Sequence, residues 1–388
     1  MNSKNRDIKI LERKKPYFPR WFLAYYLGIA IWLLTTGMHI PDGYLSPATS
    51  LVMFILVMPF WARGVSKLRH NLNARNVPLI ALFAAFSFVI MMFNVPLPGG
   101  TTGHAVGGAL AAIVLGPEIA TIAISIALVI QAFFFGDGGI LALGANSFNM
   151  AVVLPYIAYY IYTAIAGSSS ISSRRRLFGA AIGGWLGLTI AAFFAGVEFG
   201  IQPLLFHSAN GTPLYAPYPL SVAIPAMVVP HMLVASVIEG LVTALVVAYL
   251  QRSNQAALKQ VGDPAQVADA GGLHKWRAAW LVLILAALTT PLGLLAPGTA
   301  WGEWSSQQLA ELGLKFIPEG LLKLEGLWGA PMAGYEVHAL GNASLGYMLS
   351  ALLGILLVGV MVVLFSALLT GLSTGRKRAE EPVRERRQ

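Results

Sequence analysis

The sequence has no cysteine and, for its length, few charged residues. Charged residues make up 11% of its 388 residues, whereas soluble globular proteins carry roughly 25%. Without cysteine there can be no disulfide, no zinc–thiolate site and no thiol nucleophile, so a bound metal ion must be held by nitrogen or oxygen atoms. The hydrophobic content of 56% indicates a membrane protein instead of a soluble one.

Several sequence motifs of enzymes are also missing. The chain has no Gly-x-x-x-x-Gly-Lys-Ser/Thr loop, which cradles nucleotide phosphates in P-loop ATPases. It also lacks His-Glu-x-x-His and Gly-x-Ser-x-Gly, which are signatures of metalloproteases and serine hydrolases. We therefore predict that the chain is not an enzyme and is not itself a P-loop ATPase.

Apolar runs, most of them close to the length that crosses a bilayer, about 20 residues, recur along most of the sequence. They predict an all-α fold, a polytopic transmembrane helical bundle. The run at residues 104–116 is short, so it is either a crossing or a half-crossing, and Pro225 or Pro230 predicts a kink in a long run. The predicted spans are residues 46–62, 77–95, 104–116, 118–135, 147–166, 177–196, 219–250, 278–296 and 347–372.

The net charge of +9 comes from basic residues clustered between the apolar runs. The positive-inside rule accounts for these clusters, so we predict a multi-pass membrane protein with no nucleic-acid partner. The rule places residues 63–75, 174–176, 252–277 and 376–378 on the cytoplasmic side. The same alternation places residues 38–43, 96–103, 137–146 and 297–346 on the outer face.

The order of basic, apolar and small residues in positions 1–37 is that of a cleavable leader. A first membrane domain is predicted at residues 38–250. A polar stretch at residues 251–277 predicts a flexible cytoplasmic linker. A second part at residues 278–375 consists of a span, an outer loop and a span, and a charged, disordered tail follows at residues 376–388.

Two histidines, His39 and His104, lie at the outer ends of predicted spans within Gly- and Pro-rich segments. Cleavage before Met38 would add the Met38 amine and the His39 amide nitrogen to the two imidazoles. Four nitrogen atoms in a plane favour Ni(II) or Cu(II) and accommodate Co(II), whereas zinc prefers a tetrahedron. The spacing leaves the alternative open that each histidine is an ordinary hydrogen-bonded residue at the membrane interface.

Five further polar residues are candidates for supporting roles. Asp137, Asn146 and Asn149 either cap the next helix or orient a ligating histidine by hydrogen bonds. His231 and Glu239 are eight residues apart, about 12 Å along a helix, so they cannot share one ion. We expect Glu239 to pair with polar groups of neighbouring spans, and His231 to lie at the interface or beside a permeation route.

Three segments in order resemble a known family. Met-His-Ile-Pro-Asp-Gly-Tyr-Leu-Ser-Pro at residues 38–47 resembles the mature start of the CbiM/NikM family, the substrate-binding components of cobalt and nickel energy-coupling factor transporters. Pro-Gly-Gly-Thr-Thr-Gly-His at residues 98–104 and Asp-Gly-Gly-Ile-Leu-Ala-Leu-Gly-Ala-Asn at residues 137–146 resemble two further family segments. More weakly, His231 to Thr243 is similar to a later family segment, and Pro-Glu-Gly-Leu at residues 318–321 resembles an element of the small companion subunit, here fused.

The resemblance implies a bundle that captures Ni²⁺ or Co²⁺ as its transported substrate, with Met38, His39 and His104 as ligands and no catalytic cofactor. It also implies partners, namely a transmembrane coupling protein and cytoplasmic ATP-binding subunits. The fusion and the planar nitrogen set favour nickel. Two alternatives are an ion-coupled secondary carrier of a small solute, which predicts paired intramembrane acids and related halves, and an intramembrane enzyme, which needs a general base.

Overall fold

The structure is a computed structural model that describes residues 38–71, 77–97, 101–253, 255, 258, 264–296 and 299–385, with the main chain alone for residues 71, 101, 264–275 and 372–385. The predicted leader at residues 1–37 lies outside the described residues. Seven helices in the described part are long and apolar enough to cross a membrane. The predicted all-α, multi-pass membrane architecture is therefore confirmed.

The first part of the chain, up to residue 253, forms a bundle of ten helices within the described ranges. Three of its helical stretches contain a π-helical segment, at Gln131–Phe135, Ser147–Val153 and His231–Ala235. The α-helices are α1 (Pro47–Asn71), α2 (Val77–Met91), α3 (Gly108–Leu115), α4 (Pro117–Ile130), α5 (Leu143–Asn146), α6 (Leu154–Ala166), α7 (Arg174–Gly200), α8 (Gln202–Leu205), α9 (Leu220–Pro230) and α10 (Ser236–Ser253).

Small residues allow the long helix α7 to pack closely against its neighbours α6 and α10. A β-carbon at Gly183 would lie 2.7 Å from the carbonyl oxygen of Ala158, and one at Gly240 would lie 2.5 Å from that of Ala181. Membrane helices associate through such small residues because lipid offers no hydrophobic driving force between them. Large apolar side chains such as Leu245 remain exposed on the outside of the bundle, where lipid would cover them.

The predicted span at residues 104–116 is a half-crossing. The chain first forms a hairpin of β1 (Val95–Leu97) and β2 (Thr101–Gly103), then runs without regular structure to Gly107, whose φ is +76°. Only the eight residues of α3 are helical, which gives a length of about 12 Å against a hydrocarbon thickness of about 30 Å. The irregularity predicted at Pro225 or Pro230 is the π segment that begins directly after Pro230.

The second part of the chain forms two long helices joined by a loop at residues 299–342, which we call the covering loop. The helices are α11 (Pro264–Thr289) and α14 (Ala343–Glu385); a 3-10 turn follows α11 at Thr290–Leu295, and the loop contains α12 (Ser306–Glu311), α13 (Glu319–Leu324) and two 3-10 turns (Ala333–Tyr335 and His338–Leu340). The structure differs from prediction at both ends of this part. The predicted linker is helical from Pro264, and the predicted disordered tail is helical to Glu385, because each continues the helix next to it.

Candidate metal site

Residues 38–46, which we call the inserted segment, are buried within the helical bundle. Ile40 has no exposed surface, and Met38 is 2% exposed. The Asn146 side chain holds the main chain of Ile40 on both sides, because its Oδ1 accepts the Ile40 N–H at 2.8 Å and its Nδ2 donates to the Ile40 carbonyl at 3.1 Å. The Gly139 N–H donates to the same carbonyl at 2.9 Å. Asn146 thus positions the main chain of the residue next to His39.

Asp42 connects the inserted segment to the loop that follows α4. Its carboxylate accepts the main-chain N–H groups of Ile140, Leu141 and Ala142 at 3.0, 2.8 and 3.3 Å. Burial raises the pKa of Asp42, and these three hydrogen bonds oppose that rise. Sequence reasoning did not select Asp42, because a Pro-Asp-Gly sequence is also typical of an ordinary turn.

The imidazoles of His39 and His104 face one another in the core of the site. His39 Nδ1 lies 3.2 Å from His104 Nε2, and the two residues are 3% and 6% exposed. Nitrogen ligands lie about 2.0–2.1 Å from a transition-metal ion, so two ligands of one ion can be separated by this distance. The structure therefore brings together the two histidines that the sequence singled out, although they are 65 positions apart.

Asp137 lies beside this histidine pair. Its Oδ1 is 3.3 Å from His39 Nδ1. Its Oδ2 accepts hydrogen bonds from the Tyr335 hydroxyl at 2.5 Å and from Gln131 Nε2 at 3.4 Å. This carboxylate and His104 therefore approach the same ring nitrogen of His39, while His39 Nε2 has no hydrogen-bond partner among the described residues. The negative charge of Asp137 thus lies close to any ion that Nδ1 would bind.

Glu239 holds the turn that carries His104. Its carboxylate accepts the N–H groups of Val106 and Gly107 at 2.8 Å each and that of Ala109 at 3.0 Å. These donors belong to the first turn of α3 and the residues before it, where helical N–H groups have no partner within the helix. We expected Glu239 to pair with polar groups of neighbouring spans. In the structure these groups are main-chain N–H groups.

The other two predicted supporting residues have different neighbours. Asn149 Nδ2 donates to Glu198 Oε2 at 2.9 Å, so the structure shows no direct hydrogen bond from Asn149 to His39 or His104. His231 Nδ1 lies 2.8 Å from the carbonyl oxygen of Met227, one turn earlier in the same helix. Helical periodicity alone could not separate these residues from Asn146, because all of them face the interior.

The covering loop contributes groups that sequence reasoning missed. The His39 N–H donates to Glu303 Oε1 at 3.1 Å, and the Tyr44 hydroxyl donates to the carbonyl oxygen of Trp304 at 2.8 Å. Burial raises the pKa of Glu303 well above its usual value, and the nearby Asp137 carboxylate raises it further. Contacts between residues 264 positions apart leave no periodic signal in the sequence, and Glu303 stands in no recognisable motif.

A cavity of about 310 Å³ lies between the inserted segment and the covering loop. Its lining includes Asp42 and Tyr44 from the inserted segment, and Glu303, Glu325 and Trp328 from the covering loop. Within the described residues, no group of three or more His, Asp or Glu side chains is close enough to hold a metal ion. The site thus brings two imidazoles together, with the Asp137 carboxylate beside them.

Comparison with known proteins places this geometry in a family context. A family model described as the cobalt uptake substrate-specific transmembrane region matches residues 39–257, and a PDGLE domain model matches residues 276–371. The chain is 50% identical over 335 residues to the fused nickel transport protein NikMN of Rhodobacter capsulatus. The alignment covers 83% of this chain and 95% of that protein.

Two further comparisons agree with this assignment. The chain is 33% identical over 279 residues to the cobalt transport protein CbiM of Geobacter sulfurreducens, covering 69% of this chain and 74% of the relative. The crystal structure of a truncated transition metal transporter is similar with a TM-score of 0.52 and 51% identity, covering 55% of this chain and 97% of that one. The chain therefore belongs to the CbiM family of nickel and cobalt transport components, and it carries a PDGLE domain in the same polypeptide.

Proposed function

We propose that the chain is the substrate-binding component of an ATP-driven nickel uptake transporter. The bound ion would be held by the Met38 amine, the His39 amide and imidazole nitrogens, and the His104 imidazole. The observation that carries this proposal is the buried approach of His39 Nδ1 to His104 Nε2, at 3.2 Å. Two imidazole nitrogens that face each other without an ion must share one proton, whereas an ion can bind both.

The main-chain part of the ligand set is supported by the burial of Met38 and His39 beside the two imidazoles. Because no group of three or more His, Asp or Glu side chains among the described residues could hold an ion, the proposal completes the chelate with main-chain nitrogen atoms of the same segment. The His39 amide, whose N–H donates to Glu303, would lose that proton when it binds the ion. The Met38 amine is available only if the chain is cleaved before Met38. Native mass spectrometry of the protein purified from membranes would report the first residue and the bound ion together.

Nickel is proposed over cobalt on two grounds. Four nitrogen donors in a plane suit Ni(II), and the 50% identical relative with the same fused organisation is called a nickel transport protein. The identity of the ion can be measured by supplying equimolar Ni²⁺ and Co²⁺ and determining which is retained after gel filtration. Retention of cobalt in excess would reverse this part of the proposal.

The proposed partners are a transmembrane coupling protein and cytoplasmic ATP-binding subunits, in the bacterial inner membrane. Two basic clusters lie at one end of the bundle, because Gln251 near the end of α10 donates to the carbonyl oxygens of Ile171 and Ser173, directly before residues 174–176. That end would face the cytoplasm under the positive-inside rule. Nickel uptake by cells that lack the ATP-binding subunits would point to a secondary carrier instead.

The ligand assignment is tested by paired substitutions. We expect His104→Ala to lower nickel affinity at least a thousandfold, because it removes one of the two imidazoles. His70→Ala is the matched control, since His70 is exposed and its Nδ1 lies 2.6 Å from the carbonyl oxygen of Ser66 on its own helix. Nickel titration of both purified proteins is the measurement, and equal affinity of His104→Ala and the parent would refute the site.

A further inference from the structure

Besides Asp42 and Glu239, a third buried acid lies close to the inserted segment and has no role in the nitrogen site. Glu198, near the end of α7, is 5% exposed, and none of the ion pairs among the described residues includes it. Its Oε2 accepts the hydrogen bond from Asn149, while its Oε1 has no hydrogen-bond partner in the described part of the chain. Ionisable side chains inside membrane-spanning helices are costly and usually belong to a substrate or ion pathway.

Only one of the two polar atoms of the Asn149 side chain has a hydrogen-bond partner among the described residues. Its Nδ2 faces Glu198, since two oxygen atoms in contact would repel, and its Oδ1 has no hydrogen-bond partner among the described residues. Asn149 has no exposed surface and lies in the π segment Ser147–Val153, a type of segment frequent at functional sites. The pair thus presents two buried oxygen atoms that could bind a cation, one of them on a carboxyl group.

The position of this pair relates it to the nitrogen site. Asn146, which holds Ile40, and Asn149 are three residues apart on one helical stretch, which is about 4.5 Å along its axis. That stretch runs away from the inserted segment toward the basic residues 174–176. Gln202 links Glu198 to the inserted segment, because it donates to the Glu198 carbonyl at 2.8 Å and accepts the Ser46 N–H at 3.0 Å.

We propose that Glu198 Oε1 and Asn149 Oδ1 form a second cation site, about one helical turn from Asn146 on the side of the basic loops. Its donors are oxygen atoms, so it suits hard divalent cations such as Mn²⁺, whose preferred ligands are carboxylate, carbonyl and water. Mg²⁺, another hard divalent cation, usually keeps several waters and is bound through one or two carboxylates. The site rests on the proposed function in one respect, because the transported ion would meet it after leaving the nitrogen ligands.

The test measures Mn²⁺ binding to the purified full chain by the loss of the electron paramagnetic resonance signal of free Mn²⁺. Glu198→Gln keeps the size of the side chain and an acceptor for Asn149 but removes the charge, and we expect at least tenfold weaker Mn²⁺ binding. Glu118→Gln is the matched control, because Glu118 stands at the start of α4 and pairs with Arg63 of α1. Its Mn²⁺ binding should equal that of the parent.

Nickel titration of the same samples separates this site from the nitrogen site. Glu198→Gln should keep tight nickel binding, while His104→Ala should lose it and still bind Mn²⁺. Parent-like Mn²⁺ binding by Glu198→Gln, absence of Mn²⁺ binding by the parent, or loss of both ions in Glu198→Gln would each overturn the second site. If Glu198→Gln does not fold, Asn149→Ala must weaken Mn²⁺ binding at least threefold with nickel binding retained, and an unchanged Mn²⁺ affinity overturns the proposal.

Discussion

At the scale of single residues, the inserted segment is held mainly by groups that bind its main chain and by the carboxylate of Asp42. Asn146 and Gly139 fix Ile40, and Asp42 accepts three N–H groups of the neighbouring loop. Hydrogen bonds to a charged group contribute about 1.5–3 kcal/mol each. The position of His39 therefore depends on side chains that would never touch the ion.

Gly139 offers a direct test of this dependence. A β-carbon at Gly139 would overlap both the main-chain nitrogen and the carboxylate of Asp42, so Gly139→Ala must displace the inserted segment. We expect nickel affinity to fall at least tenfold, measured by titration of the purified protein. Gly329→Ala is the control, since no described residue other than its two chain neighbours has an atom within 4 Å of the added carbon there. Equal effects of the two substitutions would contradict this account.

At the scale of elements, the short helix α3 depends on an acid from another helix. Glu239 satisfies three N–H groups at the start of α3, where the helix cannot satisfy them itself and where negative charge is favourable to the helix dipole. Because His104 stands two residues before the first of these donors, the same carboxylate positions a proposed ligand. A half-crossing with unsatisfied ends would be costly at this depth.

We expect Glu239→Gln to destabilise the protein by about 1–3 kcal/mol, the cost of leaving a buried donor without an acceptor. The reason is that a glutamine side chain has one acceptor oxygen for the three N–H groups that two carboxylate oxygens now share. A lower melting temperature in a thermal unfolding experiment is the measurement, with Glu118→Gln as the control. A melting temperature equal to that of the parent would mean that α3 is held by its apolar packing alone.

The element scale also shows what could be predicted from the sequence. Long apolar runs indicated the membrane helices and their order, and the motifs around His39 and His104 indicated the nitrogen pair. The half-crossing at α3 left only an ambiguous signal, since its eight residues are apolar on every side. The roles of Glu303 and Tyr335 had no local signal at all, because they depend on contacts across 264 and 198 positions.

At the scale of the whole molecule, the covering loop and the first part of the chain meet at Asp137. Tyr335 donates its hydroxyl to Asp137 and accepts a hydrogen bond from Gln131, while Ser350 of α14 donates to the Tyr335 carbonyl. The same tyrosine has a positive φ of 63°, which is uncommon for a residue other than glycine. The backbone at this point is thus held in place by contacts from both parts of the chain.

Tyr335→Phe should weaken nickel binding about tenfold, because loss of a charge-assisted hydrogen bond of about 1.5–3 kcal/mol frees Asp137 to move. Tyr347→Phe is the matched control, since the Tyr347 hydroxyl lies nearby but donates to the Met92 carbonyl. Both affinities can be measured by nickel titration. If the two variants lose affinity equally, the covering loop acts through general packing and not through Asp137.

The joining of both parts in one polypeptide also changes how this contact forms. When two binding groups are linked, their encounter is intramolecular, at an effective concentration that reaches about the millimolar range for short linkers. The contact between Tyr335 and Asp137 then does not depend on the amounts of two separately made proteins. Every inserted segment is synthesised with its own covering loop, and translation itself fixes the one-to-one ratio of the two parts.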